Sequence, residues 1–339
     1  MWIKTLSLAF VTSTLALVLV FTVSITYIGK TEDAFYGVTE AGGAANTILR
    51  KMCLFLESLF VDFGDGTGCL RESPKVEADV CYLNTNWLAV EVLRICGSRI
   101  APMVEAFLSH YNTTLYDDGN RLRILLFKDI SIPPQTVSRL SLGAKKAVTG
   151  ETIYIYADVV SGSVLPDWLD YADLVILASL QELKNKNLEQ IQRYKDHVKG
   201  MWLGIGFGDI AYSKSGLFET YKLSLYYFLM RALGQRDEIV EWIEDNINRF
   251  MVDGGVVTHY NSDLTPRGDP NVETTVITAL ALFSNYPEKF SLHKKVDYGF
   301  TTLILVGLGI SVATALLTLK VLERRKRGYA LRPHLALPT

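Results

Sequence analysis

Two uncharged, mostly apolar runs, 6–28 and 299–319, constrain this chain of 339 residues more than any other feature. They hold 23 and 21 residues, and a helix needs about 20 to cross roughly 30 Å of hydrocarbon. Backbone groups in lipid must bond internally, so the pattern predicts two transmembrane helices. A cleaved signal peptide is the rival reading of the first run, but its apolar stretch is long for that role and no A-x-A site follows. Mean hydropathy of +0.19 agrees with membrane segments. Lys320, Arg324, Arg325, Lys326, Arg327 and Arg332 follow the second run, against the lone acid Glu323. Lys4 precedes the first run, and Glu32 and Asp33 follow it. The positive-inside rule then predicts cytoplasmic segments at 1–5 and 320–339, and an extracellular domain at 30–298. The expectation is a two-pass protein of the cell membrane with both termini cytoplasmic. Lys294 and Lys295 oppose that orientation weakly.

Overall charge is −2, which leaves no basic field for nucleic acid. The basic tail suits a membrane lipid as partner. All four cysteines, Cys53, Cys69, Cys81 and Cys96, fall in one window of 30–298. An even, clustered set in an oxidising compartment reads as two disulfides. Three pairings are open, and the favoured one joins Cys53 to Cys96 and Cys69 to Cys81. Zinc-like spacing is lacking, so no metal is expected, and no cofactor motif emerges. The segments around Asp62–Gly66 and Asp117–Asn120 lack EF-hand spacing and read as turns. Asn112-Thr113-Thr114 is a glycosylation sequon, which suits a glycoprotein.

Periodicity divides 30–298 into helices with a β insertion at about 121–160. Helices are predicted over 41–60, 85–95 and 101–111. Strands are predicted over 121–127 and 152–159, with a loop between them. From Pro166 onward, segments apolar on most sides (167–183, 217–233 and 272–283) alternate with amphipathic ones near 188–198 and 239–250. That alternation fits helical hairpins with an inner and an outer layer. Inner helices start alike: Asn84-Thr85, Asp170-Tyr171, Glu219-Thr220 and Glu273-Thr274 each lead into an apolar run.

Asp253-Gly254-Gly255-Val256, followed by Asn271-Val272-Glu273-Thr274-Thr275 and Ala279-Leu280-Ala281-Leu282, resembles one repeat of the α/α-toroid superfamily. Terpenoid cyclases, protein prenyltransferases, complement-type thioester domains and six-hairpin carbohydrate-active enzymes belong to it. The resemblance covers 166–285 well and 42–112 loosely. It implies a mainly α, toroid-like fold of helical hairpins with a small β insertion, flanked here by the two transmembrane helices. The D-x-D-D, C-x-E-Q and Asp/Cys/His zinc sets of that superfamily are lacking, so those activities do not carry over. The chain also resembles archaeal membrane-anchored proteins that carry no assigned function.

In such a fold the inner-helix starts converge on a central depression. Those positions hold Asp170, Asp173, Glu219 and Glu273, and nearby loops add Asp209, Tyr212, Asp253, Thr258, His259, Tyr260, Arg267 and Asn271. Carboxylates accept sugar hydroxyls and aromatic faces stack on sugar rings. The first expectation is therefore a membrane-anchored binding or scaffold module with an acidic-aromatic cleft for a glycan or peptide. The second is a carbohydrate-active hydrolase or lyase with Glu219 and Glu273 as catalytic carboxylates. A third is a docking subunit for a membrane-protein partner. Against all three stands plain capping, since acids in a first helical turn complement the helix dipole and cap free N–H groups. Lys222 and Arg231 are the cations expected to neutralise them.

Overall fold

A computed structural model describes residues 42–75, 79–111, 116–117 and 119–291. The runs 6–28 and 299–319, the segments 1–5 and 320–339, and the sequon at Asn112 lie outside them.

Four largely buried helices form an inner row: α2 (Leu83–Ile95), α4 (Ala172–Asn185), α7 (Thr220–Leu233) and α9 (Val272–Phe283). Each is apolar on most sides. Leu174, Val175, Leu177, Ala178 and Leu180 of α4 are all buried, as are Leu223, Leu225, Phe228 and Leu229 of α7. Burying a Leu or Phe side chain is worth about 1.5–3 kcal/mol, so such helices are stable only with protein all round. In the row, α2 packs on α9, α9 on α7 and α7 on α4. A 3-10 turn (Arg121–Leu126) touches both α4 and α2 and closes the circuit.

Amphipathic helices cover this row. The helix α1 (Gly42–Ser58) lies on α9 and α2, α3 (Ala101–Leu108) on α2, α5 (Leu188–Gly200) on α4, and α8 (Glu238–Asn246) on α7. Local signals set their ends. Asp237 accepts the Val240 N–H at 3.1 Å and starts α8, while Gly234, at φ 63°, ends α7. Two short helices, α6 (Ile210–Ser215) and α10 (Tyr286–Lys289), complete the set among the described residues.

Three sheets frame the helices. Strands β1 (Phe60–Asp62) and β2 (Gly68–Leu70) make a hairpin. Next, β3 (Val80–Tyr82) runs parallel to β5 (Thr152–Val164), which pairs antiparallel with β4 (Gln135–Lys146). The third sheet joins β6 (Phe218–Glu219), β7 (Met251–Val252) and β9 (Pro266–Pro270) to the central β8 (Gly255–Tyr260). Between β7 and β8, Asp253 and Gly254 both have positive φ, 50° and 90°. That is the geometry of a two-residue type I′ turn, for which Asp-Gly is a strong signal.

These elements correct the toroid expectation. Among the described residues about 50% are helix and 21% strand, so β structure is a framework and not a small insertion. Residues 121–126 coil into a 3-10 turn and not a strand, with Ile124 and Leu125 pointing inward and Phe127 left-handed at its end. The presumed loop before Lys146 is instead β4, whose mostly exposed residues carry no apolar alternation. Asp253-Gly254-Gly255 is a hairpin turn and not the mark of a helical repeat.

The membrane expectation is corrected as well. No helix among the described residues is long and apolar enough to cross a membrane. The longest of them, α1, has 17 residues and carries Arg50, Lys51 and Glu57. The inner helices have 12 to 14 residues and bury their apolar faces in protein. The two-pass placement at the cell membrane therefore has no spanning helix here to support it. The disulfides Cys53–Cys96 and Cys69–Cys81 instead suit an extracellular or secreted protein.

Cys53–Cys96 ties α1 to the end of α2 across 43 residues, and Cys69–Cys81 closes a span of 12. Loop-closure entropy gives about 4 kcal/mol for the longer loop and about 3 kcal/mol for the shorter. In urea unfolding, the C53A/C96A variant is expected to lose more stability than C69A/C81A; the reverse order would show that chain entropy is not what these bonds supply.

Candidate acidic site at the inner-helix starts

The first turns of the inner helices are linked in two pairs, α4 with α7 through Lys222 and α2 with α9 through Glu72. Lys222, in the first turn of α7, is the centre of one half. Its side chain is 2% exposed, and its Nζ contacts the carboxylates of Asp209 and Glu219, with Asp173 Oδ1 at 3.9 Å. Asp209 locks the surroundings. Its Oδ1 accepts the N–H groups of Ala211 and Tyr212 at 3.1 and 3.2 Å and so caps α6. Its Oδ2 accepts the Ala172 N–H at 3.0 Å, at the start of α4. His259, paired with Glu219 across β8 and β6, brings Nε2 to 3.9 Å from Glu219 Oε1 and shares a 2.8 Å bond with Thr258 Oγ1 through Nδ1.

Glu72 is the centre of the other half. It stands between the two cysteines of the short disulfide. Its backbone N–H donates to Val80 O, and its carbonyl accepts the Val272 N–H, both at 2.9 Å. Its carboxyl accepts Asn271 Nδ2 on Oε1 at 2.9 Å. Asn271 in turn caps α9, accepting the Thr274 N–H at 2.9 Å. Beside this pair stand Asp158 on β5 and Arg139 on β4, 3.9 Å apart. Asn84 of α2 holds the Asp158 N–H at 2.8 Å. The Arg139 guanidinium lies over the Tyr82 ring, 4.4 Å from its centroid.

Crowding of acids shapes the electrostatics. Burial lifts the Glu72 carboxyl to about 8, with Glu273 adding like-charge repulsion. Burial lifts Glu273 to about 7, reinforced by Asp158, Asp173 and Glu219. Asp173 and Asp158 are also raised, first by desolvation, against the pull of Lys222 on one and of Arg139 and Arg121 on the other. Burial and the Asp173 charge hold the Tyr221 hydroxyl firmly protonated. Burial opposes the charge on Lys222, but Asp173 and Glu219 outweigh it and raise its affinity for its proton. Solvent still reaches the cluster: Asp173 keeps 17% of its side-chain area, Glu219 23% and Asp158 35%. These acids are surrounded by protein yet partly wetted.

Capping does not account for the two glutamates. Glu219 occupies the N-cap of α7 but its side chain makes no cap bond, and it turns to Lys222. On α9 the capping task falls to Asn271, which leaves the Glu273 carboxyl free of it.

Of the residues singled out from sequence, Asp173, Asp209, Glu219, Thr258, His259, Asn271 and Glu273 meet around this end. The others do not. Asp170 is exposed on a 3-10 turn ahead of α4, and Asp253 is exposed in the type I′ turn. Arg267 is exposed on β9. Tyr212 stacks on Phe218 with centroids 4.2 Å apart. Tyr260 is buried between Phe218 and Phe250 and donates its hydroxyl to Ile205 O at 2.8 Å. Arg231 serves the opposite end of α7, where it binds the carbonyls of Ala281 and Ser284 and the Glu288 carboxylate. Sequence reasoning passed over Glu72, Asp158, Arg121, Arg139 and Tyr221. The cue available for Glu72 was its place inside the shorter disulfide loop.

A depression of about 350 Å³ lies away from these acids, between Trp87, Glu91 and Arg94 of α2, Glu105 and Leu108 of α3, and Tyr286. Its charges are already spent, since Arg94 pairs with Glu91 and Glu105 and Tyr286 donates to Glu91. The acidic cluster is the better site because its polar groups lack such full pairing: Glu219 Oε2, though against Lys222, makes no hydrogen bond of ordinary geometry. Among the described residues no group of His, Cys, Asp and Glu has metal-holding geometry. No protein-family model, curated protein or solved structure matches the chain. The toroid resemblance and an archaeal origin thus gain no relative in support.

Replacing Lys222 by Met strands three carboxylates around one apolar side chain. Breaking a buried ion cluster this way costs about 3–5 kcal/mol, measurable by urea unfolding. A change below 1 kcal/mol would mean that Lys222 is not the clamp described.

The raised carboxyls also fix a pH dependence. Their folded-state values exceed the ordinary 4.5, so the stability they contribute is complete below pH 4.5 and is lost as pH rises towards about 7 for Glu273 and about 8 for Glu72. Unfolding free energy is expected to fall between pH 4.5 and 8, and the fall is expected to be shallower in Glu273→Gln. An identical slope in the variant would remove Glu273 from this account.

Proposed function

We propose that the protein is an acid–base hydrolase of hydroxyl-rich, glycan-like substrates, working at the partly wetted acidic cluster where α4, α7 and α9 begin. The observation that carries this reading is the convergence of acids from separate elements, wetted yet crowded, with one carboxyl lifted to about 7 beside another clamped by a cation. Glycoside hydrolysis needs one carboxyl that keeps its proton and one carboxylate that acts on water or on the sugar carbon. Glu273 suits the first role. Glu219, oriented by Lys222 and neighboured by His259, suits the second. When the C–O bond breaks, Glu273 gives its proton to the leaving oxygen; water supplies OH to the sugar carbon, and Glu219 takes the water's remaining proton. Tyr82 and Tyr156 stand near the acids with ring centroids 6.0 Å apart, Tyr82 under the Arg139 guanidinium.

A second reading, binding without turnover, has its own support. Lys222 holds Asp209 and Glu219 in a fixed net, and Asp158 and Arg139 present paired charge at the rim, as a recognition surface does.

One experiment separates the two. Wild type and Glu273→Gln are assayed for turnover and for binding on a glycan panel. Acid–base chemistry predicts wild-type turnover that falls about 10²–10⁴-fold in the variant while binding persists. Binding without turnover in both proteins would select the second reading, and neither binding nor turnover would sink both.

A further inference from the structure

The acidic cluster borders a surface that the proposed reaction leaves unused. Strand β5 buries Ile153, Ile155 and Ala157, and its alternate residues Tyr154, Tyr156 and Asp158 stand on the other face. Tyr82 of β3 is the register partner of Tyr156 and shares that face. On the β4 side the register partners are small, Ser141 opposite Tyr156 and Ala144 opposite Tyr154. Between them the register slips, and Gly143 has φ 102°. Tyr154 is 50% exposed. The buried face of β5 is complete without it, so the core does not account for this ring.

This surface runs into the acids. Asp158 lies two residues along β5 from Tyr156. Arg139, its register partner, comes within 3.9 Å of it and lies over the Tyr82 ring. The Tyr82 carbonyl and Glu72 Oε2 stand on either side of the Thr85 hydroxyl, at 3.2 and 3.4 Å. Tyr154, Tyr156 and Asp158 therefore form one strip in steps of about 7 Å, ending at the cluster. The Arg139 side chain is 58% exposed, and among the described residues its guanidinium makes no hydrogen bond, which leaves N–H donors available.

Such a strip offers two kinds of contact: aromatic rings for C–H surface, and an arginine and a carboxylate for hydroxyls. A sugar ring presents both, with C–H groups on its face and hydroxyls round its edge. A lipid tail or an apolar peptide would use the rings but meet charge at Asp158 and Arg139. A single sugar held at the acids would leave Tyr154 untouched, whereas a chain of sugars reaches it.

We propose that this strip is a chain-binding platform, and that the substrate is a linear glycan of several rings. The unit at Asp158 and Arg139 leads into the acidic cluster, and the units beyond it stack on Tyr156 and Tyr154. The proposal rests on the hydrolase reading for its chemistry, but the binding it describes needs no turnover. Tyr154 is a specificity residue, remote from the bond that breaks.

The test is calorimetric binding to the full chain carrying Glu273→Gln, with oligomers of two and six rings from the glucan, xylan, mannan and chitin series. At least one series should bind about tenfold tighter at six rings than at two. Tyr154→Ala should remove most of that gain, and Tyr154→Phe should keep it, because the ring and not the hydroxyl stacks. Tyr154→Val retains a strand-forming side chain without a ring, so it should act like Tyr154→Ala even if alanine loosens the strand. In the chain with Glu273 intact, KM for the six-ring oligomer should rise by the same factor. No gain with length in any series, or a gain that survives Tyr154→Val, would overturn the platform. Self-association of wild type that Tyr154→Val abolishes would assign the face to a second copy and overturn it too. Length-dependent binding without wild-type turnover would leave the platform standing and remove the hydrolase reading. Turnover indifferent to chain length would do the opposite.

Discussion

The burial of one ammonium group organises this end of the protein. Lys222 could not stay charged at 2% exposure without its carboxylates, and Asp209 and Glu219 could not crowd together without Lys222. The arrangement commits several chain segments at once. Asp209 fastens α6 and the start of α4 to Lys222 on α7, and Glu219 extends the net to β8 through His259. Apolar packing in the inner row sets the helices side by side. The ion cluster then fixes which ends meet and how far apart they stand.

That clamp separates the acids into two chemical environments. Asp209 and Glu219 have a cation in contact. Glu72 and Glu273 lie mainly among other acids, with Arg139 as the compensating charge beside both and desolvation dominant. Similar side chains, placed within one cluster, therefore face opposite pressures on their protons. Environments that push like groups apart are what acid–base chemistry requires. Pure capping would have produced acids bonded to their own helix N–H groups, which is not what Glu219 does.

Much of the helical framework was legible because burial leaves a period in the sequence. The helices α2, α4, α7 and α9 fall where apolar residues crowd all faces, and α5 and α8 where they recur on one. The cysteine pairing was legible too, since the spacing suits a helix-to-helix bond and a short loop. The β framework was not. Strand β4 is mostly exposed and shows no alternation, and Arg-Leu-Arg-Ile at 121–124 alternates without forming a strand. Within the site, Glu219 and Glu273 could be found because they open helices. Glu72 lies in an irregular segment, and its partner Asn271 is 199 residues away. Asp158 is one polar residue in a long strand. No local pattern announces a residue whose importance comes from distant neighbours.

The shorter disulfide has a consequence for how the molecule matures. Glu72 is carried on the tether between Cys69 and Cys81, and its side chain completes contacts with the openings of both α2 and α9. The ordered placement of Glu72 is tied to a segment that oxidation cross-links. The shape of the acidic end therefore depends on an oxidising environment, where this loop is sealed.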